Sequence, residues 1–119
     1  SNAPDSLMKV SIPDFEKEGE GKSKHVMYKI KVKTGGEEWA VYRRYSDFYW
    51  LHKKLQQRYP ELVPELPPKK WIYSALDEQI LEKRKQGLEK YIQRIVSHPV
   101  LANDELVVSF LQAKAEHTG

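Results

Sequence analysis

The first third of the chain alternates apolar and polar residues, which is typical of β-strands with one solvent-facing side. The clearest alternating run has the apolar residues Val26, Tyr28, Ile30 and Val32. Gly35-Gly36 can supply the positive φ angles of a tight hairpin turn, so a returning strand is predicted over residues 38–43. A short first strand is predicted at residues 10–12, ended by Pro13, and residues 16–24 are expected to form a charged loop. The pattern predicts a small antiparallel sheet.

The apolar spacing changes to that of helices in the second half of the chain. Ser46 can cap a first helix, and Pro60 is expected to end it. Residues 64–70 must be extended, because a proline biases the preceding residue away from helical angles. A second helix is predicted over residues 77–97, and Asn103 can cap a short third one. Strands followed by helices indicate an α+β fold with the helices on one side of the sheet.

Composition fits one small domain and excludes several function classes. The chain has 119 residues, of which 39% are hydrophobic and 11% aromatic, enough for a single core. Its net charge of +3 does not by itself indicate a nucleic-acid partner. The absence of cysteine excludes disulfides, thiolate catalysis and cysteine–zinc sites. Residues 1–3 look like an expression-tag remnant, the domain is expected at residues 4–115, and residues 116–119 form a tail.

Arg84 breaks the apolar face of the second predicted helix. That face carries Ile80, Leu81, Leu88, Tyr91, Ile92 and Ile95. Arg84 falls between Leu81 and Leu88 at helical spacing, so it either snorkels at the edge of the core or faces a polar cavity that an anionic or hydroxyl-rich ligand fills. Gly87 costs about 1 kcal/mol against alanine in a helix interior. It is either neutral or a place where another segment approaches the helix backbone.

Arg43 and Arg44 lie beside Tyr45 where the last predicted strand meets the first helix. Two arginines next to an aromatic ring can bind a phosphate with paired hydrogen bonds and stack on a sugar-like ring. They can equally be solvated charges at a strand end. Strict alternation puts Arg43 on the same face as Trp39 and Val41, and Arg44 on the other, but this alone does not decide which arginine enters a pocket.

Lys69 and Lys70 precede three bulky residues, Trp71, Ile72 and Tyr73. One interpretation is a membrane contact, in which each lysine gains about 1 kcal/mol from anionic headgroups and the bulky residues enter the interface. The other is that Trp71 and Ile72 pack back into the core.

No catalytic, metal or cofactor site can be assembled from the sequence. His25, His52, His98 and His117 are scattered without metal-ligand spacing, and no phosphate-binding glycine loop or nucleophile elbow is present. We therefore expect no enzyme activity and no cofactor. The motif Pro64-x-x-Pro67 is either a rigid connector or a ligand for an SH3-type partner.

Three segments together resemble the phox-homology (PX) domain, particularly that of sorting nexins. They are Arg-Arg-Tyr-Ser-Asp-Phe at 43–48, Pro-Glu-Leu-Pro-Pro-Lys at 64–69 and Glu-Lys-Arg-Lys-Gln-Gly-Leu-Glu at 82–89. The resemblance implies a three-stranded antiparallel sheet packed against a helical subdomain of three or more helices, crossed by the proline-rich segment. It also implies a monomeric domain of a cytoplasmic sorting protein that binds phosphatidylinositol 3-phosphate on early endosomes.

The resemblance also implies a role for each matching residue. Arg44, rather than its neighbour, would hold the 3-phosphate, and Tyr45 would pack against the inositol ring. Lys69 would meet the 1-phosphate, with Lys70 as an adjacent competitor. Arg84 would bind the 4- and 5-hydroxyls.

Two alternatives remain at this level. The chain could be a protein-interaction module with a degenerate lipid site, using the proline segment or the helical face. It could also be a small nucleic-acid binder, although acidic residues interrupt the basic stripe that such a function needs.

Overall fold

A computed structural model describes residues 8–69 and 77–112 of the chain. Its strands are β1 (Met8–Glu18), β2 (His25–Thr34) and β3 (Glu37–Arg44), with a 3₁₀ turn at Gly21–Ser23. Its helices are α1 (Tyr45–Arg58), α2 (Glu78–Ser97), α3 (Pro99–Ala102) and α4 (Glu105–Phe110). The strands form one antiparallel sheet in the order β1-β2-β3, and the helices follow it. The α+β prediction is confirmed.

The core lies between one face of the sheet and the apolar faces of the helices. On β2 the alternating residues Tyr28, Ile30 and Val32 are fully buried, as the period-two pattern predicted. The helices contribute buried residues at helical spacing: Phe48, Leu51, Leu55, Leu88, Tyr91, Ile92, Ile95, Val107 and Phe110. Each such side chain stabilises the fold by about 1.5–3 kcal/mol relative to exposure, so sheet and helices hold each other in place.

Strand β1 is longer than the sequence predicted. It continues through Pro13 to Glu18, and its register with β2 shifts between Ser11 and Asp14. The prediction that Pro13 ends this strand is wrong, because β1 is an edge strand, where proline's missing N–H need not break a ladder hydrogen bond. The expected loop at residues 16–24 is therefore strand up to Glu18, followed by the 3₁₀ turn.

Helix α2 covers the edge of β1 with hydrogen bonds from three side chains spaced four residues apart. Lys85 donates to the carbonyl of Ile12 (3.3 Å), and Gln93 donates to the carbonyl of Val10 (3.1 Å). Between them, the Ile12 N–H donates to the Glu89 carboxylate (2.8 Å). An edge strand otherwise presents unpaired backbone groups, so these bonds fix the position of α2 along the sheet.

Two helix caps differ from the sequence predictions by one or two residues. Arg44, not Ser46, is the N-cap of α1, and its N–H donates to the Asp47 carboxylate (2.8 Å). Asp104, not Asn103, caps α4 by accepting from the Leu106 N–H (2.8 Å). In both places a carboxylate accepts a hydrogen bond from an N–H at the helix start.

The buried carboxylate of Asp104 ties the end of α1 to the start of α4. Arg58 Nη1 lies 2.9 Å from both of its oxygens, and the Tyr59 hydroxyl donates to it at 2.6 Å. Burial raises the pKa of Asp104, but the hydrogen bonds from Tyr59, the Leu106 N–H and Arg58 outweigh this effect. The net pKa lies below the ordinary value.

Because the folded-state pKa of Asp104 is below its unfolded value, its stabilisation is present at neutral pH and is lost as the pH falls through the folded-state value. We predict that Asp104→Asn lowers the free energy of unfolding by about 1–3 kcal/mol at neutral pH. The difference from the unsubstituted protein should shrink below the ordinary aspartate value of about 4. Denaturant titrations over this range measure it, with the exposed Glu61→Gln as the control. Equal losses in both variants, or a loss independent of pH, would contradict the assignment.

Candidate functional site

A small cleft lies where the start of β2, the end of β3 and helix α2 meet. Its volume is about 170 Å³, and its polar lining comprises Lys24, His25, Tyr28, Arg44, Tyr45, Ser46 and Arg84. Three residues that the sequence singled out, Arg44, Tyr45 and Arg84, therefore line one cavity although they come from three different elements.

Arg44 is directed to the cleft by the change from strand to helix. Its backbone is extended (φ −90°, ψ 166°), and its N–H is occupied by Asp47, so the residue closes β3 and caps α1 at once. Its side chain lies on the sheet face opposite that of the buried Arg43 and is exposed. The N-terminal end of a helix carries partial positive charge, which adds to the guanidinium charge. This corner of the cleft therefore favours an anion.

Arg84 lies over the aromatic ring of Tyr45. Its Cζ is 4.1 Å from the ring centroid, within the range of a cation–π interaction. Its Nη2 faces the carbonyls of Pro68 (3.5 Å) and Lys69 (3.4 Å), and the Tyr45 hydroxyl donates to the carbonyl of Pro67 at 2.5 Å. Of the two interpretations of Arg84, the structure supports the one in which it faces a polar cavity.

Gly87 explains how the proline segment reaches Arg84. A Cβ atom at Gly87 would lie 2.8 Å from Cγ of Pro67, closer than such atoms pack. The missing side chain therefore lets the segment cross α2 in contact with its backbone. The hypothesis of a close approach at this glycine is confirmed.

The two phenols of the cleft stay neutral at physiological pH. Burial raises the pKa of Tyr28, although Arg84 nearby acts in the opposite direction. Burial also raises the pKa of Tyr45, where Arg84 lowers it and Tyr49 raises it further. The cleft thus offers cations and neutral hydroxyl groups, which suits a ligand that carries both negative charge and hydroxyls.

Lys69 lies beside the cleft rather than among its lining residues. Its Nζ is 4.7 Å from the ring centroid of Tyr49, and Lys53 approaches the same ring at 5.9 Å. The Tyr49 ring in turn stacks near Tyr45, with 6.4 Å between centroids. Lys69 is therefore one ring removed from the cleft.

Several sequence predictions fall outside the described residues. These are Lys70, the second candidate for the 1-phosphate, and the candidate membrane-inserting residues Trp71, Ile72 and Tyr73. Both interpretations of residues 71–73 therefore stay open.

Arg43 makes structural contacts, whereas the sequence alone left open that it binds a phosphate in the pocket. It is only 8% exposed, and its nitrogens donate to the carbonyls of Phe110 (3.0 Å), Gln112 (3.1 Å) and Tyr42 (2.7 Å). Because these bonds attach the end of the described chain to β3, Arg43 is not available to a ligand in the cleft.

The sequence analysis missed Lys24 and His25 as cleft residues. A signal existed, because a two-residue turn at Gly35-Gly36 fixes the register of β2 against β3. Counting back from that turn pairs Met27 with Arg44, as observed. The residues that begin β2 must therefore lie beside the arginine.

Within the described parts of the chain, no group of three or more histidines or carboxylates is arranged to hold a metal ion. In the same residues no helix is long and apolar enough to cross a bilayer.

Comparison with known proteins gives a consistent result. A family model for the PX domain matches residues 31–114. Sorting nexin MVP1 of Saccharomyces cerevisiae is 41% identical over 102 residues, which is 80% of this chain and 20% of that protein. Serine/threonine-protein kinase Sgk3 of Rattus norvegicus is 34% identical over 108 residues, which is 91% of this chain and 22% of the kinase. The chain thus spans about a fifth of the length of these relatives.

Two solved structures share the fold. The cryo-EM structure of the SNX-BAR Mvp1 tetramer matches with a TM-score of 0.74 and 40% identity, over 85% of this chain and 29% of that one. The crystal structure of the mouse SNX19 PX domain with bound sulphate ion matches with a TM-score of 0.71 and 23% identity, over 88% and 96% of the two chains. At that identity the second match supports the fold alone.

The adjacent arginines should differ in their effect on stability. Arg43→Ala removes a buried guanidinium and its three hydrogen bonds to backbone carbonyls, and should lower the free energy of unfolding by about 2–4 kcal/mol. Arg44→Ala removes an exposed side chain while keeping the backbone cap, so its effect should stay within about 0.5 kcal/mol. Urea titrations of the two variants make the comparison. A larger loss for Arg44→Ala would show that it, too, is a structural residue.

Proposed function

The chain belongs to the PX domain family, whose members bind phosphoinositide lipids, and from this premise we propose that it recognises phosphatidylinositol 3-phosphate. The observation that carries the proposal is the meeting of Arg44, Tyr45 and Arg84 at one cleft. The cleft is small beside the roughly 300–1,000 Å³ of drug-sized pockets. That size suits one headgroup better than a larger ligand.

The 3-phosphate is placed at Arg44 for reasons of charge and geometry. A guanidinium presents two parallel N–H groups to a phosphate, and such charge-assisted pairs are among the stronger hydrogen bonds. The start of α1 lies next to this residue and adds partial positive charge. No carboxylate lines the cleft among the described residues, so no lining group repels the phosphate directly.

The inositol ring is placed against Tyr45 and Arg84. The guanidinium lies over Tyr45, and its Nη2 contacts carbonyls of the proline segment, which restricts its orientation. Planar donors in a fixed orientation suit the neighbouring 4- and 5-hydroxyls of the ring. Phosphates at those positions would replace the hydroxyls to which Arg84 donates in this arrangement. In this arrangement Lys69, next to Tyr49, lies toward the 1-phosphate and the bilayer.

For the protein as a whole we propose a role in endosomal sorting, with the domain as its non-enzymatic membrane-binding part. The similarity to sorting nexins supports this role. The similarity to a kinase covers only 22% of that protein, so the shared part need not carry its chemistry. Residues 4–115 remain our proposal for the extent of the domain, and residues 71–73 for the part that enters the membrane.

Removal of either cleft arginine should abolish lipid-specific binding. Loss of a buried charge-assisted contact costs about 2–5 kcal/mol, so Arg44→Ala and Arg84→Ala should each weaken binding by about 30-fold or more. Liposome pelleting at physiological salt, over a panel of all phosphoinositides, measures both affinity and selectivity. Lys33→Ala removes the same charge from the exposed sheet face and serves as the control. Near-normal binding by folded Arg44→Ala protein would exclude this pocket assignment.

The proposed membrane-entering residues can be tested separately from the headgroup site. Replacement of Trp71 and Ile72 by serine should leave binding to the soluble headgroup unchanged and weaken binding to liposomes, because only the interfacial contact is lost. Calorimetry with a short-chain lipid and liposome pelleting provide the two measurements. Unchanged liposome binding together with reduced stability would instead place these residues in the core.

A further inference from the structure

His25 faces acceptor atoms with both of its ring nitrogens. Its Nδ1 lies 2.9 Å from the carbonyl oxygen of Ser23, and its Nε2 lies 3.4 Å from the carboxylate of Glu18. A carbonyl and a carboxylate can only accept hydrogen bonds. A neutral imidazole has one N–H and can satisfy one of them, whereas the imidazolium has two and satisfies both. A protonated ring would therefore have an acceptor atom near each of its two N–H groups.

The same histidine lines the headgroup cleft together with Arg44 and Arg84. The charged groups near it come from four parts of the fold: Glu18 contacts it from β1, and Lys24 before β2, Arg44 at the end of β3 and Arg84 on α2 line the same cleft. The phenols of Tyr28 and Tyr45 are neutral at physiological pH because burial raises the pKa of each. Protonation of His25 thus adds one positive charge to the cleft and compensates Glu18.

We propose that His25 is a further charged residue of the headgroup site, and that the binding of a phosphorylated inositol is coupled to its protonation. This rests on the proposed function, because it concerns the same cleft. When the His25 ring is neutral, it does not compensate the negative charge of Glu18 beside the cleft. With a protonated ring, Glu18 is paired and the phosphate meets a more positive site. By linkage, the bound phosphate favours the imidazolium in return.

A purely structural role for His25 gives a different expectation. The histidine joins the turn at Ser23 to the end of β1, so its replacement could disturb this corner of the sheet. That effect would change stability and affinity alike at every pH. Coupling to protonation changes the affinity only across the range in which histidine titrates, roughly pH 5 to 8.

The effect of His25 protonation on affinity can be separated from the effect of protonating the phosphate of the ligand, because the two have opposite signs. A phosphomonoester loses negative charge as the pH falls through about 6, which weakens binding to the cationic cleft. Protonation of His25 acts in the opposite direction. The ratio of the affinity of the unsubstituted protein to that of His25→Gln therefore isolates the histidine. We expect this ratio to rise about three- to tenfold from about pH 7.5 to 6, as one added charge near the phosphate predicts.

The experiment uses short-chain phosphatidylinositol 3-phosphate as the probe and calorimetry at both pH values. In parallel, an NMR pH titration follows the His25 ring with and without the probe. If binding and protonation are coupled, the bound probe moves the midpoint of this titration to higher pH. His98→Asn is the matched control: His98 caps α3 by accepting from the Val100 N–H, and asparagine retains a good cap. This control should leave the affinity ratio constant.

Glu18→Gln provides a second variant that keeps the histidine. It removes the carboxylate that favours the imidazolium, so the His25 midpoint and the pH at which affinity changes should move down together. If the probe binds but the ratio is flat, or the His25 midpoint is unmoved by the probe, the coupling is wrong and the headgroup site stands. If the unsubstituted protein binds no probe at either pH, the proposed function fails, and the coupling with it.

Discussion

The contact between the Arg84 guanidinium and the Tyr45 ring connects the parts of the molecule that form the cleft. Tyr45 begins α1, Arg84 belongs to α2, and both also contact carbonyls of the proline segment. A half-buried charge on an otherwise apolar helix face is costly unless it is paired and hydrogen-bonded. The aromatic face and the carbonyls meet that requirement before any ligand arrives. The crossing at Gly87 makes it sterically feasible, because any Cβ there would collide with Pro67.

Because side chains alternate along a strand, two adjacent arginines have different roles, one structural and one at the cleft. Successive strand residues point to opposite faces, so Arg43 turns toward the chain end at Phe110 and Gln112 while Arg44 reaches the cleft. The hydrogen bonds of the buried Arg43 fix the end of β3 to the end of the described chain. Arg44 is therefore held in place where β3 becomes α1. A ligand-binding side chain on a rigid strand end loses less conformational freedom on binding than one on a loop.

The sequence patterns predicted which strands and helices form better than the residues at which they begin and end. The hairpin, the buried face of β2 and the stripe on α2 followed from periodicity, which burial enforces over many residues at once. The prediction that Pro13 ends β1 is wrong because one sequence does not show which strands lie at the edge of a sheet, where proline is tolerated. A serine at position 46 predicts a cap because its hydroxyl often serves as one, whereas in the structure Arg44 is the N-cap and its N–H donates to the Asp47 carboxylate. Arg44, Tyr45 and Arg84 stand out in the local sequence pattern, and the family resemblance adds a role for each. His25 does not stand out, because its surroundings depend on the sheet register.

The ionisable groups of the cleft differ in how their charge responds to pH. Guanidinium groups remain protonated at any physiological pH, and burial keeps the phenols of Tyr28 and Tyr45 neutral, since it raises the pKa of both. Among the described lining residues, His25 beside Glu18 is the one whose charge we propose to be coupled to binding. Its position at the start of β2 is set by the same two-residue turn that brings β3 back to Arg44. The hairpin register that builds the phosphate corner therefore also places a titratable group beside it.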